Sequence, residues 1–458
     1  MLLHGIEVDI KNHPSADPGF LPLGLYMDAF LKTASKPVSI AVERENGNIC
    51  VFDTFLHGDA AHSAADLIYL ERIVKFLLWS RGGWRIFICG DEAGASYIKT
   101  LYTETGARAF DKRTMETIYE KQFEVVSLPL AEAPRAAEET TPVGGFLDGC
   151  RIGLDVGGSS RKVCALIDGK TVYNVTEPWR PLEHADPEYH IAALTESLCR
   201  AAAALPRVDA VGISTAGIYV NHRTRIASIF RSVPKEAFDA KITGIYPAVC
   251  KALGAEIPFA VANDGDAAAL AGSISRRARN VVGISMGTSE AGGYVDENGR
   301  ITGRLNEFAF LPLDLRQTAR DPWSGDFGCG VTYLSSEAVV RLAKEGGIAF
   351  RSGAQAMQDQ VREVQRLVQS GDPAAIAVFD TIGCYLAHAI YTYQKFYRME
   401  HVIVMGGISA GPGGAVLLRR CRRVLAKEYP DLKAELILPE EDERAGGQSF
   451  AAATLVKL

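Results

Sequence analysis

The sequence predicts an α/β protein with two similar lobes that follow an extra N-terminal α/β domain. Three observations support this expectation. A chain of 458 residues is too long for one hydrophobic core, since single cores seldom grow beyond about 250–300 residues. A strand, a glycine turn and a second strand follow one another twice, beginning at Arg151 and at Val281. Helical patterns follow both of these units, which is typical of helices layered on mixed sheets.

Composition and turn residues divide the chain into four parts. The first part contains a hairpin with Asn46-Gly47 at its turn, a helix that ends at Gly82-Gly83, and a further strand. Three prolines and a polar AEET stretch then predict a linker. The predicted boundaries are residues 1–126 for the N-terminal α/β domain of unknown role, 127–148 for the linker, 149–279 for the N-terminal lobe and 280–458 for the C-terminal lobe.

The overall composition is that of an ordinary soluble globular protein, with 47% hydrophobic residues, 23% charged residues and a net charge of -6. This balance, without a basic stripe, argues against nucleic-acid binding. Nine scattered cysteines without a CxxC pair predict reduced thiols and a cytoplasmic location. No signal-peptide pattern and no apolar run of about 18 residues occurs, so we expect no membrane partner. A phosphate ligand would have to be neutralised locally, by backbone N–H groups and a metal ion.

The first chemical motif is IGLDVGGSSRKVCALI. Gly157 and Gly158 expose backbone N–H groups that suit phosphate oxygens, and Ser159 and Lys162 follow on the return strand. The alternative is a tight hairpin without a ligand. Asp155 at the strand end favours the functional interpretation, because a carboxylate beside phosphates needs a divalent cation or a water between them. We therefore predict that Asp155 anchors Mg²⁺ through water.

The second motif, VANDGDAAALAGS, places Asn263, Asp264 and Asp266 at a strand end before a helical run of small residues. Asn263 or Asp264 would suit the N-cap of that helix, which is the structural alternative. Capping needs one such side chain, and three are present. Transfer of a phosphoryl group to a hydroxyl needs one carboxylate as base and one group that orients the acceptor. The predicted base is Asp264 and the predicted orienting residue is Asn263.

Two further glycine turns lie in the second half of the chain. In VVGISMGTSEAGG, Gly287 and Thr288 form a turn between two strands that would hold the terminal phosphates. In HVIVMGGISAGPGG, Gly406 and Gly407 follow an apolar strand and would lie flat against adenine and ribose. Each turn alone is also compatible with a purely structural role.

Taken in order, these motifs resemble the sugar-kinase, hsp70 and actin superfamily over residues 151–458, and within it the ROK sugar kinases and related ROK-like proteins. The resemblance implies a two-lobed actin-like ATPase (ribonuclease H-like) fold, with ATP and Mg²⁺ as cofactors. It also implies that Asp264 is the catalytic aspartate. The implied nucleotide-binding residues are Gly157, Gly158, Ser159, Lys162, Gly287, Thr288, Gly406 and Gly407.

The chain departs from the ROK pattern where the family binds zinc and sugar. The family's GExGH motif supplies a sugar-binding glutamate and a zinc-binding histidine, whereas LNEFAFLPL has Glu307 and then Phe310 at these places. Of the zinc cysteines, SGDFGCGVTYLSSEA keeps Cys329 alone. We therefore expect no structural zinc, and specificity for a hexose does not follow for this chain. Asp326 in this loop is predicted as a replacement substrate contact, with a Gly-rich surface loop as the alternative.

The loop ISTAGIYVNHRTRI supplies Ser214 and Thr215 as predicted donors to the acceptor. The predicted function is ATP-dependent phosphorylation of a hydroxyl on a sugar or sugar-like small molecule. The main alternative is a non-catalytic ROK-like ligand sensor. An iron–sulfur ATPase activator of the same fold would need clustered cysteines, which Cys164 and Cys329 do not provide. The expected partner is a sugar or polyol, without nucleic acid or membrane; a homodimer, with the N-terminal domain in a regulatory or dimerising role, is left open.

Overall fold

The structure is a computed structural model that describes residues 1–138, 143–254, 256–351, 353, 356–438 and 441–458, the side chains of 441–446 excepted. Close Cα packing divides the chain into two compact units. The first unit comprises Met1–Glu139, Ile284–Gly292 and Leu305–Leu436; the second comprises Thr140–Gly283, Gly293–Arg304 and Ile437–Leu458. The N-terminal residues thus fold in one unit with most of the predicted C-terminal lobe, a division that differs from the expected separate domain. Residues 139–142 of the predicted linker lie outside the described residues.

The strands of the described residues are β1 (Leu2–Leu3), β2 (Ile6–Glu7), β3 (Lys36–Glu43), β4 (Ile49–Leu56), β5 (Arg85–Cys89), β6 (Glu124–Leu128), β7 (Cys150–Val156), β8 (Ser160–Ile167), β9 (Lys170–Pro178), β10 (Ala210–Thr215), β11 (Ile218–Val220), β12 (Arg223–Ile226), β13 (Phe259–Asn263), β14 (Val281–Met286), β15 (Glu290–Val295), β16 (His401–Met405) and β17 (Glu435–Ile437).

The α-helices are α1 (Leu23–Leu31), α2 (Ser63–Arg81), α3 (Glu92–Leu101), α4 (Ala109–Tyr119), α5 (Pro187–Ala202), α6 (Lys235–Ala237), α7 (Ile245–Lys251), α8 (Asp264–Arg276), α9 (Ser336–Glu345), α10 (Met357–Gln369), α11 (Pro373–Gln394), α12 (Gly411–Glu428) and α13 (Glu441–Ala453).

The N-terminal part of the first unit is a four-stranded sheet with the order β4-β3-β5-β6. The predicted hairpin is confirmed, because β3 pairs antiparallel with β4 across the Asn46-Gly47 turn. β3 also pairs antiparallel with β5, and β5 pairs parallel with β6. Helix α2 follows the hairpin and is buried over nearly its whole length, so this sheet and helix belong to the core of the unit.

Four other helices of the first unit pack around α11. This helix packs against α1, α9, α10 and α12. Among the described residues it is the one helix whose length and composition would suffice to cross a membrane, and 72% of its most apolar window is buried inside the protein. Such burial is that of a core helix. A second four-stranded sheet has the order β15-β14-β16-β17.

The second unit is built on a five-stranded sheet with the order β13-β10-β7-β8-β9. Strands β7, β8 and β9 form an antiparallel meander, and β7, β10 and β13 run parallel. Its core includes Ile152, Leu154, Val163, Leu194 and Ile213. In parallel strands the carboxyl ends meet at one edge, which is where ligands bind in open α/β sheets. The motif residues at the ends of β7, β10 and β13 therefore lie side by side.

Two glycines allow helix α13 to approach this sheet closely. A Cβ on Gly153 of β7 would lie 1.9 Å from the carbonyl oxygen of Ser449, and one on Gly212 of β10 would lie 1.6 Å from that of Ala452. Only glycine leaves room for the helix backbone at these positions. The sequence motifs did not indicate this contact, because it joins residues far apart in the chain.

Candidate active site

Three strand ends in the second unit gather the motif residues. Ser214 of β10 pairs in register with Asp155 of β7, and Thr215 pairs with Asn263 of β13. Asp264 follows directly as the first residue of α8. The sheet register thus brings together Asp155, Ser214, Thr215, Asn263 and Asp264, as expected for residues at the carboxyl ends of parallel strands.

The turn between β7 and β8 is a hydrogen-bonded hairpin. The Gly157 N–H donates to the carbonyl of Ser160 at 3.0 Å, and the indole N–H of Trp179 donates to the carbonyl of Gly157 at 2.7 Å. Backbone bonding also joins Trp179 to Ser159, whose carbonyl accepts at 3.2 Å. Apart from the adjoining residues, no heavy atom of the described part of the chain lies within 4 Å of the place a Cβ on Gly158 would take. The turn is therefore fixed from one side by Trp179 and open at Gly158.

Asp155 is buried at the end of β7 and receives two hydrogen bonds. The Ser214 hydroxyl donates to its Oδ1 at 3.0 Å, and the Lys162 ammonium donates to its Oδ2 at 3.3 Å. Burial raises the pKa of Asp155, while the charge of Lys162 and these hydrogen bonds lower it in part. Lys162, predicted as a phosphate ligand, is thus also the counter-ion of Asp155.

The donor set at Asp155 fits Mg²⁺, which prefers carboxylate oxygens and retains several waters. No group of three or more His, Cys, Asp or Glu side chains that could hold a metal occurs in the part of the chain that the structure describes. A magnesium ion at Asp155 would therefore rely on water and on phosphate oxygens for its other ligands, as magnesium does in phosphoryl-transfer sites.

Asp264 begins α8 and is partly exposed. The backbone N–H of Gly265 donates to its Oδ1 at 3.0 Å. Burial of the carboxyl, and then the negative charge of Asp155, raise the pKa of Asp264 to about 6. A carboxylate with a pKa near neutrality holds a proton far better than an ordinary aspartate does, which is the property a general base needs.

Asn263 is the N-cap of α8. Its side-chain oxygen accepts from the Gly265 N–H at 2.7 Å, and its amide donates to the carbonyl of Gly217 at 2.8 Å. Asn263 therefore caps the helix, which was the structural alternative to a functional role. These bonds do not support its predicted role in orienting the acceptor. Asp266 is buried and accepts from the backbone N–H of Tyr294 at 3.0 Å. Of the three polar residues in the motif, Asp264 is left as the candidate for catalysis.

Ser214 and Thr215 are fully buried. Ser214 donates to Asp155, and the Thr215 hydroxyl accepts from Tyr246 at 3.0 Å and from Tyr219 at 3.3 Å. The predicted hydrogen bonds from these two residues to an acceptor are not supported, because neither side chain reaches the surface. Their observed role is to hold Asp155 and the loop after β10.

The turns at Gly287-Thr288 and Gly406-Gly407 both lie in the first unit. Hydrogen bonds hold the first turn, and close packing against a strand holds the second. The carbonyl of Gly287 accepts from the N–H of Ser336 at 2.8 Å, and the Thr288 hydroxyl accepts from Gln358 at 2.8 Å. Gly406 has a φ of 97°, and a Cβ there would lie 2.3 Å from the carbonyl oxygen of Met286. Around Gly407, by contrast, the corresponding space is open. An open glycine after a strand leaves backbone groups accessible to a ligand.

The segment that carries Glu307 contacts the N-terminal part of the first unit. The Glu307 N–H donates to the carbonyl of Trp79 at 3.0 Å, and the ring of Phe310 stacks on Trp79 with centroids 4.2 Å apart. Cys329 packs in one hydrophobic cluster with Ala309. It is fully buried, and burial raises the pKa of its thiol to about 12.

Asp326 is 2% exposed and is bound by three basic side chains. Lys75 lies 2.8 Å and Arg72 lies 3.2 Å from its Oδ2, and Arg108 pairs with its Oδ1. Although burial alone would raise the pKa of Asp326, these charges hold it well below its usual range. The predicted contact between Asp326 and a substrate is therefore replaced by a buried ion cluster, which the sequence did not reveal because Arg72 and Asp326 are 254 residues apart.

Comparison with known proteins identifies the fold as the actin-like ATPase fold. Among solved structures, a ROK hexokinase from Thermus thermophilus is 24% identical, matches 67% of this chain and 97% of its own, and has a TM-score of 0.52. The profile of the ROK family matches residues 151–457, and the chain belongs to this family. The predicted fold class and family are thus confirmed.

The solved structures also include a ROK protein without an enzyme name. A transcriptional regulator of the ROK family, a homolog of the E. coli MLC protein, is 19% identical, matches 67% of this chain and 78% of its own, and has a TM-score of 0.51. Comparison with curated protein sequences gave no match. The fold is therefore shared by carbohydrate kinases and by regulators, and residues 1–150 lie outside the family match.

Proposed function

We propose that this protein transfers the γ-phosphoryl group of ATP to a hydroxyl on a sugar or sugar-like small molecule, with Asp264 as the general base. The observation that carries the proposal is the juxtaposition, within the second unit, of a glycine turn open at Gly158, the buried carboxylate of Asp155 and the partly exposed residue Asp264, whose carboxyl has a pKa of about 6. A protein that only senses a ligand has no need of a base tuned in this way.

The chemistry assigned to Asp264 follows from this pKa. Its carboxylate accepts the proton of the acceptor hydroxyl as the hydroxyl oxygen bonds to the γ-phosphorus, and the bond from that phosphorus to the bridging oxygen breaks to release ADP. Mg²⁺, when bound, neutralises charge on the phosphates, and Asp155 would hold it through water. Lys162 lowers the pKa of Asp155 against the effect of burial, because its ammonium lies 3.3 Å from Oδ2.

The first unit supplies the other residues of the proposed function. Gly287, Thr288, Gly406 and Gly407 are proposed to contact the nucleotide, in keeping with the open space around Gly407. Glu307 is proposed to bind the hydroxyls of the acceptor, since its side chain is only partly buried.

The second candidate is a non-catalytic ligand sensor. Membership of the ROK family does not separate the two candidates, because the same fold occurs in a hexokinase and in a transcriptional regulator. The raised pKa of Asp264 favours the kinase. Turnover decides between them, since a sensor binds its ligand without releasing ADP.

The test is ADP release from Mg·ATP with a panel of sugars, polyols, sugar acids and amino sugars. We expect turnover with at least one acceptor, and we expect Asp264→Asn to lower kcat by about 10²–10⁴-fold, the usual contribution of general base catalysis. Nucleotide affinity, measured by calorimetry, should change by no more than about twofold. Asp239→Asn, which alters a surface ion pair with Lys235 in the same unit, serves as the control. Full turnover in Asp264→Asn would refute the assignment of the base, and ATP binding without turnover on any acceptor would favour the sensor.

A further inference from the structure

The last turn of α2 is joined to the segment that carries Glu307. Three successive N–H groups, those of Leu305, Asn306 and Glu307, donate to the carbonyls of Arg81, Ser80 and Trp79 at 3.3, 3.1 and 3.0 Å. The carbonyls of a last helical turn have no partner within their own helix and need one elsewhere. Residues 305–307 thus provide the C-terminal cap of α2, and α2 in turn fixes the backbone of residues 305–307.

A second contact between the same parts is aromatic. Trp79 of α2 is buried and stacks on Phe310 with a centroid distance of 4.2 Å. The indole N–H of Trp79 donates to Asp111 of α4 at 2.9 Å, which fixes the plane of the ring. Phe110 adds a tilted contact with Phe310 at 5.5 Å. The ring of Phe310, three residues after Glu307, therefore packs on aromatic side chains that the N-terminal residues supply.

The third contact is the buried ion cluster around Asp326. Besides Arg72, Lys75 and Arg108, it contains Glu71, which pairs with Arg108 at 2.6 Å, and Asp111, which pairs with Lys75 at 3.2 Å. Three cationic and three anionic side chains balance in charge. Removing one partner from such a cluster leaves a buried charge uncompensated, which is strongly destabilising. The cluster therefore holds the turn at Asp326 firmly to α2 and α4.

We infer that Trp79, together with the ion cluster, positions the acceptor-binding segment, so that the N-terminal residues are a working part of the kinase site. The inference rests on the proposed role of Glu307. Phe310 and Asp326 lie where the resemblance to ROK kinases indicated a zinc motif, and in this chain both side chains contact the N-terminal residues instead. Trp79 is a positioning residue, because it acts on an acceptor through the backbone and ring that it supports.

The experiment compares wild type with Trp79→Phe and with Phe310→Leu, the second change being milder because Phe310 is only half-buried. Hydrogen exchange is measured on peptides that cover residues 305–310, and equilibrium affinities are measured for ATP and for the acceptor. We expect exchange in 305–310 to accelerate at least about tenfold, and the acceptor Kd to rise about tenfold while the ATP Kd stays within about twofold. Each of the two tenfold changes, in exchange rate and in acceptor Kd, corresponds to about 1.4 kcal/mol.

Phe123→Leu is the matched control, because it breaks another stacked aromatic pair of the first unit, with Tyr102 at 5.1 Å. It should lower the thermal midpoint without accelerating exchange in 305–310 or weakening acceptor binding. Unchanged exchange in both test variants would overturn the inference. An acceptor Kd that stays the same despite faster exchange would overturn it too, and so would equal effects of Phe123→Leu on exchange and on acceptor binding. If wild type binds no acceptor, the proposed function fails, while exchange in 305–310 still decides whether the N-terminal residues hold this segment.

Discussion

Asp155 and Asp264 illustrate how neighbouring carboxyl groups acquire different properties from their partners. Asp155 receives the hydroxyl of Ser214 and the ammonium of Lys162, both of which favour its charged form. Asp264 accepts from one backbone N–H, and burial, followed by the negative charge of Asp155, raises its pKa to about 6. The first is therefore suited to a cation and the second to a proton.

The pH dependence of turnover should report Asp264. A base works only when deprotonated, so kcat/KM should fall tenfold per pH unit below about pH 6 and level off above it. The measurement is a pH–rate profile from pH 5 to pH 9 at constant ionic strength and saturating Mg²⁺. Asp239→Asn should reproduce the wild-type profile. A rate that stays constant down to pH 5 would show that no group with this pKa is needed in its basic form.

Glu290 is a further carboxyl with a raised pKa, and the sequence motifs gave no indication of it. It is 2% exposed, the Tyr393 hydroxyl donates to its Oε1 at 2.8 Å, and its buried Oε2 has no hydrogen-bond partner among the residues that the structure describes. A Cβ at position 330 would lie 2.1 Å from that oxygen, so Gly330 is required beside it. Burial raises the pKa of Glu290 to about 8, which means that this side chain is mostly neutral at pH 7.

Glu290→Gln should make stability less dependent on pH. Because the folded state holds the Glu290 proton more tightly than the unfolded chain, wild-type stability is lost as pH rises from about 4.5 to about 8. Glutamine cannot ionise, so the variant should equal wild type near pH 5 and exceed its free energy of unfolding by about 1–3 kcal/mol at pH 8.5. Thermal midpoints at pH 5, 7 and 8.5 test this. If wild type and Glu290→Gln lost equal stability as pH rises, this prediction would be contradicted.

At the scale of elements, local patterns predicted the strands and helices well. The hairpin of β3 and β4, the helix α2 that ends before Gly82, and strand β16 before Gly406 all follow from side-chain alternation, helical spacing and glycine turns. The same patterns could not tell which polar residue would cap α8, since Asn263 and Asp264 are both good caps. They also gave no sign that Ser214 would bond to Asp155, because that contact depends on the pairing of β7 with β10.

The contact of α13 with the five-stranded sheet gives a prediction about glycine. Gly212→Ala should destabilise the second unit by at least about 3 kcal/mol, because the new methyl group would meet the backbone oxygen of Ala452. Gly244→Ala is the control: this residue lies in the same unit with open space around it, and the change should cost less than about 1 kcal/mol. Thermal unfolding of the two variants checks the difference. Equal midpoints would show that α13 yields to the methyl group.

At the scale of the whole molecule, the N-terminal residues are not an appendage. They share one compact unit with residues 305–436, although composition and the proline-rich stretch favoured a separate domain. The ion cluster explains the difference in physical terms. Its members Arg72, Lys75 and Arg108 look like ordinary surface charges in a sequence, and only the folded chain brings them to Asp326.

Removal of the N-terminal residues should therefore prevent folding of the first unit. A chain that starts at residue 143 would leave the buried charge of Asp326 without its three cationic partners and would expose the apolar surface that α2 covers. We expect aggregation or loss of a cooperative thermal transition, compared with the full chain prepared in parallel. A monodisperse product whose melting temperature lies within a few degrees of the full chain would contradict this.

The bond between Trp179 and Gly157 also has an optical consequence. The chain has four tryptophans, of which Trp79, Trp84 and Trp179 are buried while Trp323 is 73% exposed. An aqueous quencher such as iodide would suppress the emission of Trp323 and leave that of the buried indoles. Trp179 bonds to Gly157 in the turn between β7 and β8, and Trp79 stacks on Phe310. The intrinsic fluorescence of the unlabelled protein therefore monitors both places while a nucleotide or a sugar is added.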